Sequence, residues 1–567
     1  MLYLSTSDCA LGTLDKPPGT QVDAEVFLPP DLSLAGEAGA SPGSFATTPQ
    51  GTYQDVAQSP TQGMGNAIDA LMSGSKWSGT DAGTARTVVT YSFVNAQSSF
   101  SYAGQNNFTS NVSTFSEADK ALTRTLLGKI EAVCNVEFVE VADNATECGV
   151  LRYGYSPQPN VQGYAGFAYF PSSSAMGGDI WIGANQAACT WDFYRPNLIL
   201  HETLHAIGLK HPFEAGAVLS TAQDIVPNTV MSNSTVAGGS SSWMSAYPSE
   251  PMPMDVAALQ CLYGAAPTNT GDTTYDLSGA SFQGFSVLWD AGGNDTLDAG
   301  ALAHSISLDL RCGVMSDLGN SITAMAKAAS GATLKTTYTG TLSIAAGATI
   351  ENAMGTAFAD SIGGNEADNA VSSGAGNDRL EGRGGNDVLD GGDGFDTAMV
   401  EAARDGYSIS KSGASYTLSG GATGTDVLTS VERIAFTDAN IALDLDGNAG
   451  IVAKIIGAVL GASYVQDASY VGVGLAAIDN GMSATALMEA ALNARLGGGH
   501  SSHAAVELLL HNICGVTPSD AYIDSYADLI NYGSTTEGAL GVLAMEHPMN
   551  LANIDLVGLA AHGIDYV

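Results

Sequence analysis

The sequence predicts a multidomain molecule: an α+β domain, then a parallel β-roll, then an all-α region. Three observations carry that expectation. Strand-like runs and helical segments alternate before residue 264. Glycine and aspartate recur with a nine-residue period between residues 360 and 396. Beyond residue 450 the apolar pattern turns helical.

Residues 1–60 are rich in Pro, Gly, Ser and Thr and read as an extended leader or propeptide. Order is expected from Gly65, with a short helix over Asn66–Met72. Thr87–Phe93 alternates β-branched and aromatic residues, as a strand does. Ser116 with Asp119 forms a capping box, and the helix it opens runs to Val133. Val136–Val141, Val150–Tyr155, Gly166–Phe170 and Gly178–Ile182 read as further strands, the third ended by Pro171.

The stretch His201-Glu-Thr-Leu-His-Ala-Ile-Gly-Leu-Lys-His211 is the densest chemistry in the chain. His201 and His205 are four apart, so on a helix their imidazoles share a face. Gly208 permits a positive φ, and the turn can swing His211 back as a third ligand. Three imidazoles on zinc leave a position open for water, and Glu202 stands where a general base can reach it. This H-E-x-x-H-x-x-G-x-x-H pattern resembles that of the metzincin metallopeptidases, and the later repeats narrow the resemblance to the serralysins. It implies an α+β metzincin domain over residues 61–264, in which Gly166–Phe170 is the edge strand. An extended peptide substrate could add to that edge.

The same resemblance implies a methionine turn beneath the zinc. Met231, in Thr-Val-Met-Ser-Asn, and Met244, in Trp-Met-Ser-Ala-Tyr, are the two candidates, with Met231 favoured. The alternative role for it is that of a plain core methionine. Serralysins usually carry tyrosine two residues after this methionine; here the residue is Asn233. An amide can donate to developing charge but is a poor metal ligand. Tyr247 would substitute if Met244 marked the turn. Pro251–Gly264 resembles the helix that closes the serralysin catalytic domain.

Past Gly264 the candidate ligands change from nitrogen to oxygen, which suits calcium. By resemblance, Gly271, Thr273, Asp290, Gly292 and Asp295 form one calcium site, with Asn269 lending a carbonyl. Gly293, Asp295, Thr349 and Glu351 form a second. Then Asp360, Asn369, Asp378, Asp387 and Asp396 follow nine apart. The glycines around them permit tight turns with inward carbonyls, and each aspartate supplies charge. Gly374, Gly376 and Asp378, then Gly382, Gly384 and Asp387, then Gly391, Asp393 and Asp396 are the calcium-binding candidates. This is the RTX nonapeptide of a parallel β-roll. Leu380, Leu389 and Ala398 should face its interior, and Asn369 should weaken one turn. Residues 265–446 are read as the roll and its cap, with Val427–Phe436 as a strand.

Residues 447–567 read as a helical tandem repeat: Ile455–Gly461 is echoed by Leu509–Gly515, and Asn480-Gly481 by Tyr532-Gly533. They resemble helical modules appended to exported RTX proteins, including surface-layer-associated ones. The ending Gly563–Val567 resembles a type I secretion signal, and no N-terminal signal peptide is visible.

Lys+Arg 19 against Asp+Glu 58 gives a formal charge of -39, which disfavours nucleic acid and anionic membranes as partners. The seven cysteines include no C-x-x-C pair, so a cysteine zinc site is not expected. Two of Cys134, Cys148 and Cys189 could pair, and Cys9 could serve a latent form as a zinc-blocking thiolate. Together these readings imply a secreted, calcium-stabilised zinc endopeptidase, a zymogen if residues 1–60 are removed. Water on the zinc would be the nucleophile and Glu202 the general base. Its expected partners are protein or peptide substrates, the type I secretion machinery, and a bacterial cell surface or surface layer. The alternative is an RTX protein that binds a cell surface or surface layer and has weak or lost peptidase activity.

Overall fold

The computed structural model describes residues 55–58, 66–79, 86–100, 102, 108–188, 193–421 and 424–567. Contacts divide the chain into two compact units. Residues 277–295 and 312–350 belong to the first unit with the histidine motif. The second holds 274–276, 296–311 and everything from 351 onward, roll and helices together. These units cut across the boundaries expected at 264 and 446. Cys9 and Cys189 lie outside the described residues, as does the segment read as a leader up to residue 54. Its last part is ordered: Asp55–Gln58 is a strand antiparallel to Ser75–Ser78, pairing Val56 with Trp77. Val56 packs against the core that buries Trp77, an apolar gain the segment's polar composition concealed.

The first unit contains a five-stranded sheet in the order Val136–Glu140, Thr87–Phe93, Leu151–Ser156, Asp179–Gly183, Gly166–Ala168. Its first three pairings are parallel and the last is antiparallel, so Gly166–Ala168 is the edge. That strand ends at Ala168, before the Phe170 expected from Pro171. Helix Glu117–Val133 starts at Ser116, whose hydroxyl accepts the Asp119 amide at 3.1 Å. Asp119 is buried and also accepts from Arg195 Nη1 at 2.8 Å. This ion pair joins the start of that helix to the start of helix Arg195–Ala206, which carries the first two histidines. A second sheet of this unit pairs Met315–Lys327 with Thr333–Ile344 and with Ser240–Met244.

The second unit stacks short parallel strands in two sheets. One runs Ser307–Asp309, Ser361–Gly363, Arg379–Glu381, Thr397–Met399, Arg433–Ala435. The other runs Thr274–Asp276, Thr296–Asp298, Asn352–Met354, Ala370–Ser372, Val388–Asp390, Thr425–Thr429. Leu380, Leu389 and Ala398 are buried between them. The strand expected over Val427–Phe436 is two strands, Thr425–Thr429 and Arg433–Ala435. Ser430 takes φ 51 between them and sends the chain from one sheet to the other.

Six of the helices recur as two sets of three, ahead of the shorter helices Pro548–Asn553 and Leu556–His562. Asn448–Val459, Ala468–Asp479 and Ala484–Leu496 are followed by Ser502–Cys514, Asp520–Asn531 and Glu537–Met545. The echoed glycines sit just past helix ends, each with positive φ: Gly461 and Gly515, Gly481 and Gly533. Among the described residues no helix is long and apolar enough to cross a membrane.

Candidate metal centre

Helix Arg195–Ala206 brings His201 and His205 to one face, as their four-residue spacing requires. The helix stops where Gly208 takes φ 114; a Cβ there would stand 2.5 Å from the Ser75 carbonyl. Its last carbonyls find aromatic donors: Trp77 Nε1 gives to Ala206 O at 2.8 Å and Tyr263 Oη to Ile207 O at 2.7 Å. The chain then returns His211 to the other two rings. His211 Nε2 lies 3.2 Å from both His201 Nε2 and His205 Nε2.

The far side of each ring fixes its tautomer. His201 Nδ1 donates to Val230 O at 2.8 Å and His205 Nδ1 to Leu209 O at 2.8 Å. His211 Nδ1 donates to Glu214 Oε1 at 2.6 Å. Carbonyls and a carboxylate accept, so the Nδ1 atoms carry the protons and the Nε2 lone pairs face one another. Burial and the neighbouring rings hold His201 and His211 well below the usual imidazole range. Burial lowers His205 to about 4. Three neutral nitrogens with converging lone pairs repel unless a cation lies between them. Ligands at a Zn–N distance of about 2.0–2.1 Å stand roughly 3.3 Å apart in a tetrahedron, so the observed separations fit zinc.

Glu202 is buried and neither carboxylate oxygen has a hydrogen-bond partner. Burial pushes its pKa up to about 8. The edge strand abuts it: a Cβ on Gly166 would lie 2.6 Å from Glu202 Oε1. Phe213 stacks on His211 with ring centroids 5.0 Å apart, and Phe170 meets His205 edge-on at 5.5 Å.

The carbonyl that touches His201 belongs to Val230, so the turn reaching the histidines is the one bearing buried Met231. Met244 instead lies on a strand opposite Ala324. Tyr247 packs its ring against Phe193 and Tyr194. Asn233 keeps its Oδ1 buried without a hydrogen-bond partner. Cys134 is an unpaired thiol whose Sγ donates to Ile130 O at 3.3 Å, so it is not the disulfide partner considered above.

Besides Trp77 and Tyr263, three supports were not read from the sequence. Glu214 orients His211 from three residues away. Lys210 donates to the carbonyls of His211, Glu214 and Ala217, tying down the loop after the third ligand. Asp255 accepts from Thr229 Oγ1 at 2.6 Å, Val230 N at 2.7 Å and Met252 N at 2.9 Å, and so fixes the Val230 turn. Glu214 had a usable signal, since an acid three residues past a ligand histidine can reach its ring. Asp255 had none, being remote in sequence from the turn it holds.

Among the oxygen candidates of the first unit, Thr273 N donates to Asp295 Oδ1 at 2.8 Å and Thr273 Oγ1 to Gly271 O at 2.9 Å. Gly292 N donates to Asp290 Oδ1 at 2.8 Å, and a Cβ on Gly293 would stand 2.7 Å from the Gly271 carbonyl carbon. These six residues share one region. Thr349 lies in the first unit and Glu351 in the second.

In the roll, one carboxylate oxygen of each aspartate accepts a backbone amide from the rung before it. Asp360 N gives to Asp378 Oδ1 at 2.7 Å, and Asp378 N to Asp396 Oδ1 at 2.8 Å. On the other side Asn369 N gives to Asp387 Oδ1 at 2.9 Å. The second oxygens of Asp378, Asp387 and Asp396 are buried without a hydrogen-bond partner. Oxygen donors left over in this way suit a hard cation, and calcium fits them. Gly374 and Gly376 stack on the next turn, with Asp393 N donating to Gly374 O at 2.9 Å and Gly376 opposite Gly394. Gly382 and Gly391 give way to the carboxylates of Asp387 and Asp396, which a Cβ would strike, and a Cβ on Gly384 would meet Glu366.

The family model for the Peptidase M10 serralysin C-terminal domain matches residues 254–464. Serralysin G of Dickeya chrysanthemi is 32% identical over 351 residues, covering 56% of this chain and 68% of the relative. The chain belongs to the serralysin family. Metallopeptidase AprA of Pseudomonas marginalis is 33% identical over 51% of this chain and 62% of its own length. The serralysin of Proteus mirabilis is 29% identical over 50% of this chain and 60% of its own. Serralysin likeness thus covers about half of the chain and between 60% and 68% of these relatives' length.

Proposed function

We propose that this chain is a secreted, calcium-dependent zinc endopeptidase of the metzincin type, acting on extracellular or cell-surface proteins. The observation that carries this reading is the convergence of three histidine lone pairs beside a buried, unpartnered glutamate. Zinc held by His201, His205 and His211 would polarise the scissile carbonyl and make water acidic enough to attack. Glu202 takes the proton of the attacking water and passes it to the leaving amine nitrogen. A cation among the histidines favours the charged, basic form of Glu202 against the effect of its burial. Met231 floors the site, and Glu214 and the Val230 carbonyl hold two rings in the tautomer that leaves Nε2 free. The edge Gly166–Ala168 receives an extended peptide by backbone hydrogen bonds, bringing a scissile bond past Glu202. Asn233 offers an amide donor where serralysins usually offer a phenol.

Calcium, abundant outside the cell, would neutralise the buried carboxylates of the roll and complete its folding after export by a type I route. Asn233 also favours a second reading, in which the chain binds a cell surface or surface layer and its peptidase activity is weak or lost. Casein hydrolysis by the native protein and by Glu202→Ala, each with zinc content measured, separates the two. Activity in the native protein and a fall of about 10²-fold or more in a variant that keeps its zinc is expected. Equal activity rejects Glu202 as the base; inactivity of both with zinc bound favours the surface-binding reading.

A further inference from the structure

The turn that carries Met231 runs on through Ser232, Asn233, Ser234 and Thr235, and the residues on both sides of Asn233 are tied down. Ser232 Oγ donates to Asp224 Oδ1 at 2.6 Å and accepts from Ser234 N at 3.1 Å. Val226 N donates to Ser234 O at 2.8 Å. Thr235 is fully buried, and its amide donates to Ser242 Oγ at 3.1 Å. Its hydroxyl proton is shared between the carbonyls of Trp243 at 3.2 Å and Met325 at 3.1 Å. Asn233, between these anchors, keeps its Oδ1 buried with no hydrogen-bond partner.

One further tie comes from 103 residues along the chain: Tyr338 Oη donates to the Thr235 carbonyl at 2.7 Å. Tyr338 lies on Thr333–Ile344, opposite Ile322 of Met315–Lys327. The same antiparallel ribbon pairs Met325 with Trp243, so it reaches the segment after Met231 by backbone as well as by side chain. The ribbon belongs to the compact unit that holds the histidines. The Tyr338 ring meets Phe285 edge-on at 6.0 Å and packs against the core that buries Met231. Packing holds the ring, so the hydroxyl at its end acts as a fixed strut under a buried carbonyl.

We infer that Tyr338 is a positioning residue for peptide hydrolysis: through the Thr235 carbonyl it fixes Asn233 where its amide can donate to charge developing on the scissile carbonyl. A donor stabilises such charge only if it is in place before the charge appears. The asparagine side chain is short, so its amide goes where the backbone beneath it is set. A shift of about 1 Å in that backbone is enough to waste the donor. The ribbon supplies the accuracy, from a part of the chain that holds none of the histidines. The inference rests on the peptidase reading above.

Tyr338→Phe removes the hydroxyl and keeps the ring. On a quenched-fluorescence peptide taken from the native protein's casein digest, it should lower kcat about tenfold with KM and zinc content unchanged. Asn233→Ala should lose at least as much. The double variant should lose no more than Asn233→Ala alone, because the tyrosine acts through the asparagine. Thr235→Val cuts the tie to Met325 and should give the same pattern, which keeps the test open if Tyr338→Phe folds poorly. A crystal structure of Tyr338→Phe should show residues 232–235 displaced and the three histidines in their native places. Losses that multiply in the double variant, or an unchanged kcat beside a lower melting temperature, overturn the assignment. A native protein that binds zinc yet cleaves nothing overturns the peptidase reading itself, so the two failures are told apart.

Discussion

Around the three histidines each ring is neutral and each Nδ1–H has a fixed acceptor, whereas in the roll Asp378, Asp387 and Asp396 each keep a buried oxygen without a hydrogen-bond partner. The nitrogen site is held by the fold before any ion arrives: the Val230 carbonyl, the Leu209 carbonyl and Glu214 set the rings. The roll gathers buried carboxylates whose mutual repulsion a bound cation would relieve. On the proposed reading, the difference teaches that one protein would use its metals in two ways, as a reagent added to a finished site and as part of the fold itself.

The largest expected effect follows from that contrast. Chelating calcium should lower the melting temperature of the roll sharply, because each site filled at about a thousandfold excess over its Kd stabilises by about 4 kcal/mol. Removing zinc alone should abolish activity and shift melting much less. Calorimetry with a calcium chelator and with a zinc-selective chelator checks this; equal shifts would erase the distinction between the two regions.

A smaller effect tests the geometry on the nitrogen side. Gly166→Ala would press its Cβ on Glu202, 2.6 Å from Oε1. Hydrolysis should fall by about 10–100-fold through displacement of the base, with zinc content unchanged. Zinc loss in this variant would mean that the edge strand supports the ligands instead.

The smallest concerns Asp255, which anchors the Val230 turn. Burial raises it to about 6. Its folded pKa lies above the unfolded value of about 3.9, so its contribution is fully present below that pH and is lost as pH rises through 6. Melting of the native protein should therefore decline between about pH 4 and 7 relative to Asp255→Asn, which carries no titrating group there. Parallel profiles for the two proteins would show that Asp255 does not titrate in this window.

How far the sequence disclosed these regions depended on the range of the interactions. The histidine helix and the nonapeptides are local patterns, and the structure brings His201, His205 and His211 together as their spacing implied. The capping of Ser116 was legible for the same reason, whereas the edge position of Gly166–Ala168 was implied by the family resemblance. Asp255, Trp77 and Tyr263 act on the site from distant segments, so no local period announced them. The hairpin Tyr407–Ser412 and Ser415–Gly420, inserted before Thr425–Thr429, breaks the nine-residue phase while the sheet register survives. The Val56 strand was masked by polar neighbours, and Ser430 split a run whose apolar pattern looked continuous.

The central claim is that three imidazoles share one zinc ion. X-ray absorption at the zinc edge, on protein dialysed to constant metal content, tests it most directly. The account predicts one zinc per chain with three imidazole nitrogens at about 2.0–2.1 Å, lost in His205→Ala. Zinc that persists unchanged in His205→Ala, or that is bound by sulfur, would contradict it.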